Sequence, residues 1–174
     1  MTVEPFWISV CGSELRQGDL LPNALVPVLH PGWDEAKQAY PVAIHEYDLI
    51  ILTQSCDLES NRSRLVALSP IFGVRDFEDV NENFKRKGVW ENVRKGRVEG
   101  LHLLASPIAP EDNQQALVVD FREVYSLPFE NLTRHAASIG SRWRLRSPYL
   151  EHFSQSFARF FMRVGLPSSI PPYH

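Results

Sequence analysis

The chain has 174 residues, 44% of them hydrophobic and 22% charged, proportions that fit one ordinary folded domain and exclude a disordered or fibrous chain. Eighteen basic residues against 21 acidic ones give a formal net charge of −3, which excludes a chain-wide electrostatic trap for nucleic acid and leaves only local binding. No apolar run approaches the roughly 18 residues of a membrane span, and the start Met1-Thr2-Val3-Glu4 lacks the basic opening of a secretion signal, so a cytoplasmic address and no membrane partner are expected.

Taken in chain order, residues 6–10 read as a short strand. Gly12-Ser13 and Gln17-Gly18-Asp19 supply turn chemistry before the apolar stretch 20–29, whose prolines mark an edge or broken strand. A loop holding His30 and Trp33 comes next, then the strand candidates 40–44 and 47–54. The continuous Leu49-Ile50-Ile51-Leu52 predicts burial on both faces of a sheet. Residues 59–63 read as a hairpin connection to a strand over 64–72, making the two central strands neighbours.

From Asp76 to Lys95 the pattern changes to helical spacing. Phe77, Val80 and Phe84 recur at three and four, and Trp90 and Val93 at three, which predicts a short helix, a break near Gly88 and a second helical turn. Mixed charges on the other faces read as a solvated insertion, with a binding face as the alternative. Strands return at 100–105 and 116–127, joined by a turn over 106–113. The second alternates from Asp120 onward and so leaves the core.

The last element is a helix over 148–164, with Ser147 as N-cap, Pro148 at the first position and a stripe containing Leu150, Phe153, Phe157, Phe160 and Phe161. It packs on the barrel or on a second subunit. Five arginines, Arg142, Arg144, Arg146, Arg159 and Arg163, make the one locally basic region. The expected organisation is a single domain over 1–174, mainly β with helices (α+β). A small β-barrel or partly closed sheet fills 6–132 with a helical insertion at 76–95, and a C-terminal strand and amphipathic helix span 142–165.

The order Gly18-Asp19-Leu20 before a strand, the strand 49–52 ending in Thr53-Gln54-Ser55, then 65–70, and finally 117–127 with Asn131-Leu132, resembles the PemK/MazF-like toxin superfamily over roughly residues 18–132. The resemblance implies an SH3-like barrel and, in active members, a metal-independent and cofactor-free endoribonuclease that is usually a homodimer, in a toxin or phage-defence setting. Those toxins place an arginine near an Arg-Pro pair at the first central strand and a Ser or Thr at the end of the next. Here the first position reads Ala39-Tyr40-Pro41-Val42 with Lys37 nearby, and Ser69 can stand at the second. A cation for the phosphate is then missing, and a barrel that kept the fold and lost the reaction is the alternative.

Two cysteines, Cys11 and Cys56, are too few for a disulfide framework, so free thiols are expected. Thr53-Gln54-Ser55-Cys56-Asp57-Leu58 places polar groups and a thiol at a buried strand end. One reading makes Cys56 a nucleophile, with His102 or His45 as base and Asp57 or Asp120 as the orienting acid. The other makes Cys56 a small buried hydrophobe, with Ser55 and Asp57 holding the turn. The six histidines show no metal-binding spacing, and no metal is expected. Asp120 pairs with Arg122, and Arg142-Trp143-Arg144-Leu145-Arg146 reads as a strand with its arginines on one face, a surface for nucleic acid. Three functions follow from these readings: an RNA-acting or RNA-binding barrel, a Cys56-dependent hydrolase or transferase, and an interaction module that docks a protein on its C-terminal helix.

Overall fold

A computed structural model describes residues 5–29, 42–60 and 63–162. The fold is a mixed α+β arrangement of antiparallel strands and five α-helices among these residues. Strands β1 (Trp7–Cys11), β2 (Leu20–Leu29) and β3 (Val42–Ile51) precede a one-turn helix α1 (Ser55–Glu59) and the long strand β4 (Leu65–Gly73). Helices α2 (Val74–Val80) and α3 (Val89–Arg94) make the insertion, followed by β5 (Leu101–Leu104), β6 (Leu117–Asp120) and β7 (Tyr125–Pro128). Helix α4 (Phe129–Ser138), strand β8 (Ser141–Leu145) and helix α5 (Tyr149–Phe161) are the last elements among the described residues.

The main sheet has the order β2-β3-β4-β6-β5, with β7 also on β4, and a separate ribbon joins β1 to β8. The described strands do not close into a barrel: β2 and β5 stand at the two ends of an open sheet. Strand β2 takes the edge place that its prolines dictate, because proline donates nothing to a ladder. Its register slips between Leu21 and Ala24, where Asn23 adopts a φ of 54° and its amide donates to Asp48 Oδ1 at 2.9 Å.

The two central strands are neighbours, Ile50 lying opposite Ser69. Their link, however, is helix α1 and not a plain hairpin turn. The expected strand over 116–127 is β6 and β7, both on β4 and separated by residues 121–124. Asp120 causes the interruption: its carboxylate accepts from the Arg122 amide at 3.0 Å and from the Arg122 guanidinium at 2.8 and 2.5 Å, closing a turn. The ion pair is thus formed within a turn.

Each face of the sheet has its own cover. Leu49, Ile51, Val66 and Leu68 face a core with Leu58 of α1 and Leu132 and Ala136 of α4. The intervening Ile50 and Ile71 face a second core with Trp7, Phe121, Leu145 and Phe153 of α5. Alternation in a strand produces this division, and burial of Leu49 through Leu52 follows on both sides. The insertion supplies a third cluster, in which Phe77 and Val93 cover Leu101 and Val118. It breaks at Gly88, whose φ is 85°. The phenylalanine stripe of α5 packs on the second core of its own chain through Phe153, Phe157 and Phe160. Its helix starts at Tyr149, with Pro148 as N-cap in place of Ser147; the expected end at 164–167 lies outside the described residues, as do His30, Trp33, Lys37 and Arg163.

Candidate functional site: a cationic cleft beside a buried arginine pair

The arginines of β8 go inward. Asp19 and Arg142 have fully buried side chains, and Arg142 Nε donates to Asp19 Oδ2 at 2.9 Å. Arg142 also donates to the carbonyl of Gly12 at 2.7 Å and to that of Glu14. Arg144 completes the cluster by donating to Asp19 Oδ1 and, at 2.9 Å, to Oδ2. Asp19 therefore meets two guanidinium groups, the arrangement that makes a buried carboxylate tolerable. Trp143, between them, packs against the second core. Arg146 is half-buried and has a partner of its own. Of the residues expected to form a nucleic-acid face, Arg142 and Arg144 hold the β1–β8 ribbon to the turn before β2 and Trp143 packs into the second core.

The strand end around Cys56 is joined to the same turn. Ser55 Oγ accepts from the Gln17 amide at 3.2 Å, Gln17 Nε2 donates to the Leu52 carbonyl at 2.9 Å, and Thr53 Oγ1 accepts from the Ala67 amide at 2.8 Å. Ser55 thus fixes backbone as expected. Cys56 differs from the buried expectation: it is exposed on α1, and its thiol donates to Gln54 Oε1 at 3.7 Å. Asp57 lies beside it in the first turn.

His102 sits elsewhere. It is on β5, with its ring 6.0 Å from that of Phe121 and 5.8 Å from that of Phe153, on the face of the second core. Helix α1 covers the opposite face through Leu58, so the sheet lies between Cys56 and His102 and the two are not brought together. Asp120, opposite Leu101 in the ladder, is engaged by Arg122. His45 is exposed on β3 and stacks on Tyr47. Ser69 is fully buried, and its Oγ has no hydrogen-bond partner; it faces the second core between Ala67 and Ile71, away from solvent.

The concave feature near His102 is a cleft of about 510 Å³ between the end of α3, β5 and α5. Its lining includes His102, His152, Gln155 and Arg159 on one side and Arg94 and Lys95 on the other. Three cations, Arg94, Lys95 and Arg159, stand against one acid, Glu99, in that lining. Just outside it Glu91 pairs with Arg94 at 2.8 Å and Lys95 at 2.9 Å. Hydrogen bonds from Arg94 and then Lys95 pull the Glu91 carboxyl down to about 2. Burial, and secondarily the nearby His152, push His102 down to about 4, so the floor of the cleft is an uncharged imidazole at neutral pH.

This site was not readable from sequence. His152 lies 50 positions from His102, and the strand end around Cys56 was more conspicuous than either. Among the described residues no three His, Cys, Asp or Glu side chains are grouped to hold a metal ion. No helix there is long and apolar enough to cross a membrane. Comparison with protein-family models, curated proteins and solved structures finds no match to the chain.

Proposed function

We propose that the protein binds single-stranded RNA, with the backbone phosphates lying in the cleft of Arg94, Lys95 and Arg159. The observation that carries this reading is the charge around that cleft: Arg94, Lys95 and Arg159 line it against Glu99, and with Glu91 at its edge the balance stays positive in a chain whose net charge is −3. Phosphate contacts supply most of the affinity of such binding, and His102 and His152 add hydrogen-bonding groups on the cleft floor. The likeness in element order to PemK/MazF-like toxins supports an RNA partner, an SH3-like relationship for the open sheet, a homodimer and a toxin or phage-defence setting. Ser69 has no part in this reading, because it is sealed in the second core.

The test is fluorescence anisotropy with a labelled pentauridylate at about 20 and 200 mM salt. Binding that weakens as salt rises, and that weakens further in Lys95→Glu and Arg159→Glu, supports the cleft. Absence of binding at low salt, or binding indifferent to both charge reversals, rejects it.

A further inference from the structure

A second cavity, also of about 510 Å³, opens beside the first and shares Arg94 and Leu103 with it. The two differ in charge. In the second, Arg75 and Arg94 are matched by Glu78 and Glu91, and its lining adds Trp90, Asn113 and Gln114. A balanced lining with an indole and two amides suits an uncharged planar group, whereas the first cavity suits an anion.

The fixed positions of these groups matter. Trp90 Nε1 donates to Glu78 Oε1 at 2.7 Å, and its ring lies 5.9 Å from that of Phe77 and 5.3 Å from that of Phe84. The indole is therefore held before any ligand arrives. The Gln114 amide nitrogen of the backbone donates to Asp112 Oδ1 at 2.9 Å, and its side-chain Oε1 accepts from Arg75. That contact leaves the Gln114 NH₂ group as a donor, next to the Arg75 guanidinium. The cavity thus offers donors and an aromatic ring together.

From this juxtaposition we infer that the second cavity is a nucleobase subsite: a base carrying carbonyl oxygens packs on Trp90 and accepts from Gln114, while its phosphate lies past Arg94 in the first cavity. Stacking on an aromatic ring and hydrogen bonding to the base edge are the two general means by which single-stranded bases are read. The inference rests on the RNA reading above and names the subsite that reading lacks.

The experiment compares pentauridylate with an abasic ribose-phosphate oligomer of the same length, on the full chain and on Gln114→Ala, Trp90→Phe and Arg159→Glu. Gln114 is exposed, so its substitution leaves the fold intact, and Trp90→Phe keeps an aromatic ring in the third cluster. The expected result is that pentauridylate binds at least tenfold more tightly than the abasic oligomer. Gln114→Ala should then lose most of that difference without changing abasic binding, Trp90→Phe, which keeps a smaller aromatic platform, should lose part of it, and Arg159→Glu should weaken both oligomers. Equal binding of the two oligomers, or an unchanged preference in Gln114→Ala, overturns the base subsite alone. Failure of both oligomers to bind overturns the subsite together with the RNA reading.

Discussion

Two arginine-rich regions of this molecule meet opposite fates. Arg142 and Arg144 close on one buried carboxylate, Asp19. Arg94, Lys95 and Arg159 line an open cleft, and the Glu91 that restrains two of them is itself exposed. A basic run in a sequence is thus equally compatible with an internal tie and with a binding surface. What separates them is whether a carboxylate from a distant part of the chain folds onto the run, and the partner here lies 123 residues away.

The contrast is open to direct attack, beginning with its buried half. Asp19→Ala strands the Arg142 guanidinium in the interior, and we expect a loss of about 3–5 kcal/mol in urea unfolding. A loss below about 1 kcal/mol would place the pair in the class of surface ion pairs. Second in size is the effect of acid on the cleft floor. His102 stays neutral in the fold down to about pH 4, while an unfolded histidine takes its proton near 6.5. The unfolded chain therefore binds more protons between those values. This contribution is complete above pH 6.5 and is lost as the pH falls toward 4, by up to about 3 kcal/mol. Urea midpoints measured across that window should slope upward with pH, and the slope should flatten in His102→Leu; parallel slopes in the two proteins would count against a buried neutral imidazole.

Gly18→Ala tests the turn that delivers Asp19. Gly18 has a φ of +81°, and a Cβ there would stand 2.9 Å from Leu150 Cδ1 and 3.0 Å from Leu145 Cβ. A destabilisation of about 1–3 kcal/mol is expected from thermal melts, and an unchanged melting temperature would show that α5 yields easily at Leu150. Smallest of all should be Arg159→Glu on the cleft wall. Its stability should stay within about 0.5 kcal/mol of the parent, since its purpose in our reading is a ligand. A larger loss in urea unfolding would move Arg159 from the open region to the structural one.

Much of the sheet was legible because burial writes itself into sequence as period. Leu49 to Leu52 announced a strand covered on two faces, and Gly88 announced the break in the insertion. Helix α4 leaves little trace in the sequence, because its buried core residues are Leu132 and Ala136, with Phe129 and Ile139 packed alongside, among Asn, Thr and Ser residues that favour helices weakly. Helix α1 hid inside Gln54-Ser55-Cys56-Asp57, where polar residues read equally well as a turn. Asp120 was correctly matched with Arg122, but local hydrogen bonding converted the expected strand into a turn. The cleft was illegible for a different reason. Its groups come from α3, β5 and α5, each placed by packing in a different cluster, and no spacing along the chain records their meeting.

The β1–β8 ribbon pairs the first and last strands among the described residues, with Arg142 bonded to the carbonyl of Gly12 across 130 residues. Such remote pairing raises contact order and slows folding. During synthesis at ~5–20 residues per second, the first strand and the Asp19 carboxylate wait on the order of ten seconds for β8 to emerge. Over that interval the second core lacks Leu145 and Phe153, and the carboxylate stays hydrated. Asp19 therefore stays without its two guanidinium partners until strand β8 has been made.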